Sequence, residues 1–454
     1  MRPRGGGIRD WLLLGAGEAL AVGLVLAPDA RNHLLVYLLL FAASSLLALI
    51  AARSLSGSRP MFLIICAGVL RLTLLFRPPD LSDDIYRYIW DARVAAAGIS
   101  PYAYAPADRE LGIISERPAR LTHSDVRTVY PPVAQAAFRA GRLIGRDALP
   151  LKALFAAADL SIVPLILALG GPGAGFGAAL YAFHPLATTE SAAEGHLDSL
   201  GIALLLATLV TLAGKRRVRA GVAFALSVLT KYVPAVAAIA LVRRGRLPFA
   251  AAFLATGTAI WLVATRGGPS PASGLLVYAS RWEFNSVLYP AAAALFAEGD
   301  APARAKTVYI ELKEHLGNPS WMQRLFPFFY ADFFARMALA AVLAAVLLVI
   351  AWHARDDEGA VFASLAALLL ASPTLHPWYL LWILPFAARR REPAFLYLSF
   401  AAPLAYALLY PVGWLPWRLV YTLEYAPFAA LVGMNWIRRR PLVPARGGQG
   451  EEAV

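Results

Sequence analysis

The densest run of chemically competent side chains is Ser82-Asp83-Asp84-Ile85-Tyr86-Arg87-Tyr88-Ile89-Trp90-Asp91-Ala92-Arg93. Its adjacent carboxylates, Asp83 and Asp84, follow closely on Pro78 and Pro79, which end an apolar stretch. Like charges held together in a partly desolvated place raise one carboxyl toward the working range of a general base. Arg87 and Arg93 add guanidinium forks suited to phosphate. The run predicts a helix with its N-cap at Ser82 and its stop at Gly98. On that helix Asp84, Arg87 or Tyr88, and Asp91 share a face, while Ile85, Ile89 and Trp90 are placed to rest on a membrane interface. The same pattern also fits a capped amphipathic helix whose first-turn acids merely complement its dipole.

Two further polar clusters interrupt apolar sequence. His184-Pro185 and the run from Glu190 to Asp198 (ESAAEGHLD) are dense in hydrogen-bonding groups. Glu194, His196 and Asp198 alternate rather than sharing one helical face, and no cysteine assists them. A polar network or a ligand-binding loop is therefore expected there, and no metal. Ser372-Pro373-Thr374-Leu375-His376-Pro377-Trp378-Tyr379 forms the other cluster, readable either as a ligand site or as a polar cap with an interfacial tryptophan.

What positions these residues is membrane sequence. The 454 residues are 59% hydrophobic and 16% charged, with a mean hydropathy of +0.58. Ordinary soluble domains carry roughly 45–50% apolar and about 25% charged residues. Stretches such as 33–52 are as long as the ~20 residues that cross a bilayer. The single cysteine, Cys66, lies in an apolar run, which excludes an intramolecular disulfide. Arg2, Arg4 and Arg9 precede a first apolar stretch without a convincing cleavage site, so that stretch is expected to be a retained anchor.

The net charge of +13 could signal a nucleic-acid partner, and its distribution argues against one. Basic clusters lie at Lys215–Arg219, Arg243–Arg246, Arg389–Arg391 and Arg438–Arg440, whereas the short loops 184–196, 372–377 and 411–417 hold no Lys or Arg. By the positive-inside rule both termini are expected in the cytoplasm. Only 23 residues separate the first two clusters, so a re-entrant hairpin broken near Lys231-Tyr232-Val233-Pro234 is expected to keep both inside. Residues 77–150 and 266–331 become two long extracytoplasmic loops. The expected architecture is an all-α polytopic bundle of about 12 spans plus the re-entrant pair, one membrane domain over 1–440, and a disordered cytoplasmic tail over 441–454. Glu18, Arg71, Asp159 and Glu424 fall within or at the ends of spans, where an internal pair such as Arg71 with Asp159 competes with a functional role.

The run from Ser82 to Val94, then Gly98-Ile99-Ser100-Pro101-Tyr102, then His123 to Gln135 (HSDVRTVYPPVAQ) resembles the first extracytoplasmic loop of bacterial GT-C glycosyltransferases. The nearest subgroup is the polyprenyl-phosphate-mannose-dependent mannosyltransferases of the family 87 type. Ala92 stands where that family commonly has Gly, and Ser100 where it has Asn; neither departure touches the acids. The resemblance implies an inverting transfer of a hexose, mannose foremost, from a polyprenyl-phosphate donor to a lipid- or envelope-linked acceptor. It implies a bacterial-type plasma membrane location and an extracytoplasmic site. The general base it implies is Asp84, with Asp83 the alternative. Arg87, Arg93, Lys231, Arg281 and His376 become the donor-phosphate set. Lys231 needs an anionic partner at its depth, either that phosphate or a carboxylate such as Asp198. Asp91, Tyr130, Gln135, His196, Asp198, Tyr232 and Tyr379 become the sugar and acceptor set. No cofactor is implied; the partners are the lipid-linked donor, the acceptor and membrane lipids. The competing class is a lipid or glycolipid transporter, which would carry paired repeats and a midplane site that this sequence does not display. An inactive structural subunit is a third class, which the intact acids argue against.

Overall fold

A computed structural model describes residues 7–114, 117–118, 120–243, 246–266, 269–317, 319–410 and 415–439. Arg2, Arg4, Arg244, Arg440, part of the 411–417 loop and the 441–454 tail lie outside the described residues. The described chain is helical, with an isolated β-bridge between Phe284 and Thr374. Among the described residues, four helices are long and apolar enough to cross a membrane: Leu34–Leu55, Leu149–Ala168, Leu247–Ala264 and Ala331–His353. The last two have only 6% of their apolar window buried, against 44% for Leu149–Ala168. They therefore offer nearly their whole circumference to a surrounding apolar phase, as an outer helix does in lipid.

Several other apolar stretches form shorter helices. Pro60–Leu74 and Asp198–Ala213 are among them, and the Val233–Val242 stretch begins as a tight 3-10 turn. The apolar stretch 376–388 is not one helix, because Pro377 and Pro385 each remove a backbone donor. It becomes a 3-10 segment, Pro377–Trp382, and a short helix, Leu384–Arg390, both packed in the interior. The helix expected to break near Lys231 does so: it ends at Thr230, and Lys231 is extended.

The first polar segment folds against the bundle. Asp84–Ala96 starts two residues after Ser82, whose hydroxyl accepts from the Asp84 N–H at 3.2 Å. It stops before Gly98, whose φ of +79° is the left-handed conformation of a helix terminator. Ile85, Ile89 and Trp90 do not rest on a membrane interface. All three are buried in protein. Ile85 and Ile89 pack with Tyr88, Phe138, Phe155 and Leu197, because Pro132–Ile144 and Leu149–Ala168 close over that face. Deeper in the bundle, Arg71 and Asp159 form a fully buried ion pair at 2.5 Å, and Tyr181 donates to Asp159 at 2.6 Å.

The second polar segment carries the helices Ala272–Arg281, Tyr289–Glu298 and Ala301–Leu316. It is joined to the 372–377 loop through two backbone bonds, Phe284 N to Pro373 O at 3.0 Å and Leu375 N to Phe284 O at 2.7 Å.

Candidate active site

A cavity of about 530 Å3 lies where these segments meet. Its polar end holds Asp83, Asp84, Arg87, Tyr130 and Lys231, and its apolar wall includes Val233, Val236, Leu368 and Leu369. Tyr232, His376 and Tyr379 also line it. Eight of the fourteen residues singled out in the sequence thus converge on one space.

The two neighbouring acids differ sharply. Asp83 is clamped by guanidinium groups from both sides, Arg31 at 2.7 Å and Arg120 at 2.8 Å. Asp84 has no such partner among the described residues; the nearest ionisable side chain in a pairing geometry is the His196 ring, at 3.8 Å. The Asp84 side chain is 35% exposed, and what it faces is the cavity. Burial among protein atoms pushes its carboxyl up to about 6. Lys231 and a hydrogen bond from Tyr130 pull the other way, while Asp198 and Asp83 add to the rise.

The loop that presents Asp84 is built to be rigid. The buried Glu194 carboxylate accepts from the backbone N–H groups of Leu81 and Ser82, each at 3.0 Å, and from Asp80 at 3.4 Å. Asp80 is itself held by Arg77 at 2.7 Å and by the Ala30 N–H at 2.8 Å. Tyr410 donates to the Leu81 carbonyl at 2.9 Å. Glu194 is the C-cap of a five-residue π-helical segment, Thr189–Ala193, a local geometry frequent at functional sites.

Beneath the cavity, Asp91 accepts from Arg87 at 3.0 Å, Gln135 at 2.8 Å and Thr128 at 2.5 Å. Asp91 and Gln135 are buried there and do not line the cavity. They hold Arg87, whose guanidinium also donates to the Val126 carbonyl at 2.9 Å and still reaches the cavity. Lys231 meets the Asp198 carboxylate at 2.8 and 2.9 Å and lies 4.6 Å from the Tyr379 ring centre. Asp198 is fully buried and also accepts from the Trp382 indole at 2.5 Å. Of the two partners open to Lys231, the carboxylate is thus present within the chain. Arg93 is outside the cavity lining, and Arg281 is an exposed residue 3.5 Å from Asp125.

Four rings form a continuous stack beside Asp84. Phe284 lies on His376 at 4.5 Å, His376 on Trp378 at 4.3 Å, and Trp378 on His196 at 4.2 Å. Burial lowers His376 to about 3, so its ring is neutral and offers a hydrogen bond rather than a charge. His184, by contrast, is a satisfied core residue, bonded to Ser399 at 3.0 Å and to the Leu186 N–H at 3.2 Å. Among the described residues, no three His, Cys, Asp or Glu side chains converge as metal ligands would.

Sequence reading passed over Arg31, Arg120 and Trp382, which are distant in sequence from what they hold. It also passed over Arg127, which lies within the His123–Gln135 motif and carried a usable signal. Arg127 lines the cavity, and no hydrogen bond or ion pair engages its guanidinium among the described residues.

Helices long and apolar enough to cross a membrane, with a cavity lined by both charged and apolar side chains, define a membrane protein whose site suits an amphiphile. Residues 34–245 match the family model described as Alpha-(1->6)-mannopyranosyltransferase, N-terminal domain. The match supports a mannosyl-transferring glycosyltransferase of the GT-C type, similar to family 87. It spans a little under half of the chain and includes Asp84, Arg87, His196 and Lys231, while His376 and Tyr379 lie beyond it. No curated protein matches the chain.

Proposed function

We propose that the cavity transfers mannose from a polyprenyl-phosphate donor to a hydroxyl of a lipid- or envelope-linked acceptor, on the extracytoplasmic side of a bacterial-type plasma membrane. In this reading the four long helices and the shorter apolar ones together form the spans, with the termini in the cytoplasm. The acceptor oxygen attacks the anomeric carbon as the bond to phosphate oxygen breaks. The acceptor proton passes to Asp84, and the polyprenyl phosphate leaves with the electron pair. A single displacement inverts the anomeric centre, so an α product requires a β-linked donor. Phosphate leaves without protonation and needs cations instead. Arg87, Arg127 and Lys231 border the space it would occupy, and the apolar wall suits the first units of the lipid. The reading calls for no metal or other cofactor.

The observation that carries this reading is the contrast between the acids: Asp83 is neutralised by two arginines, whereas Asp84 faces the cavity with its carboxyl raised to about 6. The test is purified protein with polyprenyl-phosphate-mannose and an acceptor extract. Asp84→Asn should reduce transfer by about 10²–10⁴-fold with the melting temperature in detergent unchanged. Near-normal transfer by that variant would remove Asp84 from the mechanism. Movement of the lipid across vesicles without a glycosylated product would replace the transferase reading by a transporter.

A further inference from the structure

Behind Asp84 lies a line of buried polar groups. His196 is 1% exposed, with Nδ1 3.8 Å from Asp84 Oδ2 and Nε2 3.4 Å from Glu190 Oε2. Glu190 is fully buried, and its other oxygen accepts from the Tyr406 hydroxyl at 2.8 Å. Both ring nitrogens of His196 and Glu190 Oε2 are buried without a hydrogen-bond partner among the described residues. Such orphans in a tightly packed interior call for an arrangement that satisfies them together. Trp378 stacked on the ring at 4.2 Å keeps it in the line between the two acids.

Resting on the reading of Asp84 as base, we infer that Glu190 is a protonated acid that fixes the tautomer of His196, which in turn orients the Asp84 carboxylate. With small side-chain shifts that close the 3.4 and 3.8 Å separations to hydrogen-bond distance, Glu190 Oε2–H donates to His196 Nε2 and His196 Nδ1–H donates to Asp84 Oδ2, and the Tyr406 hydroxyl completes the chain at Glu190 Oε1. Every orphan atom then has a partner, and each group is in the state its surroundings favour. Burial pushes the Glu190 carboxyl well up, as do Glu194, Asp198 and Asp84, against the Tyr406 bond. Burial, Lys231 and His376 push His196 well down, toward the neutral ring. Asp84 is also faced by Lys231, Asp198, Tyr130 and Asp83, and Glu190 by Tyr37. Glu190 and His196 are thus positioning residues, acting through Asp84 without touching substrate.

The test is the pH profile of kcat/KM. A donor to the ionised carboxylate favours ionisation, so its loss should move the acidic limb to higher pH. His196→Ala should raise that limb by at least half a pH unit and lower kcat more than it raises KM. Glu190→Gln keeps a donor toward Nε2 and should leave limb and rate within about threefold of the parent, whereas Glu190→Leu should reproduce the His196→Ala shift. Combining Glu190→Leu with His196→Ala should add nothing further, because both break one chain. An unmoved limb in a folded His196→Ala protein overturns the inference, as does Glu190→Gln proving as damaging as Glu190→Leu. If Asp84→Asn is itself active, the underlying assignment of the base fails instead, so the two failures are distinguishable.

Discussion

Asp83 and Asp84 are neighbours in sequence and opposites in environment. Two guanidiniums hold the first, and the second keeps a third of its side chain on the cavity. A base must be ionised to accept a proton. With a carboxyl raised to about 6, the ionised fraction falls as pH drops through that value. We therefore expect kcat/KM to be level above about pH 7 and to fall tenfold per unit on the acid side of 6, measured under conditions where the protein stays folded. Arg127, unengaged on the cavity border, tests the other half of the chemistry. Arg127→Gln should raise KM for the lipid-phosphate donor by about five- to tenfold, the value of one partly exposed charge-assisted contact, and leave kcat within a factor of about two.

At the scale of elements, the Asp84–Ala96 helix depends on what packs behind it. Gly195 has a φ of +75°, and a Cβ there would lie 2.6 Å from Ile85 Cδ1 and 2.9 Å from Lys152 Cγ. Gly195→Ala should cost about 1–2 kcal/mol from backbone strain alone and reduce activity by displacing the residue next to Asp84. Adding Ile85→Val removes the contacting methyl and should restore part of the activity, read from melting temperature and transfer rate together. The stop of this helix and the shared face of Arg87 and Asp91 were readable because they depend on spacing within one turn or two, while its N-cap is Asp83, one residue past the expected Ser82. The direction of its apolar face was not. Burying Ile85, Ile89 and Trp90 in protein rather than against lipid depends on where Pro132–Ile144 folds back, and amphipathicity alone does not distinguish the two. Nor could spacing show that Arg31 and Arg120 would neutralise Asp83, whereas Asp198 was one of the two partners expected for Lys231.

Across the whole molecule, composition and the long apolar stretches pointed to a helical membrane protein, and the pairing of Arg71 with Asp159 was among the readings their place within spans offered. The prolines at 377 and 385 show why an apolar window overstates a span: hydropathy registers composition, while the backbone obeys its donors. The Arg71–Asp159 pair ties the third helix, Pro60–Leu74, to Leu149–Ala168. Arg71→Leu alone leaves a buried carboxylate uncompensated and should destabilise by about 3–5 kcal/mol. The double change Arg71→Leu with Asp159→Leu should recover most of that loss in a detergent melting experiment.

The cavity wall is drawn from residues as far apart as Leu81 and Tyr410. During synthesis the acid and most of its supporting loop emerge early, while the His376–Tyr379 wall and Tyr410, which also holds that loop, emerge only when most of the chain has been made. A chain still being inserted therefore holds a complete acid and half a binding site. The enzyme comes into being late in its own biogenesis, after the membrane has accepted nearly all of it, and a truncated product stranded in the bilayer would be inert rather than indiscriminate.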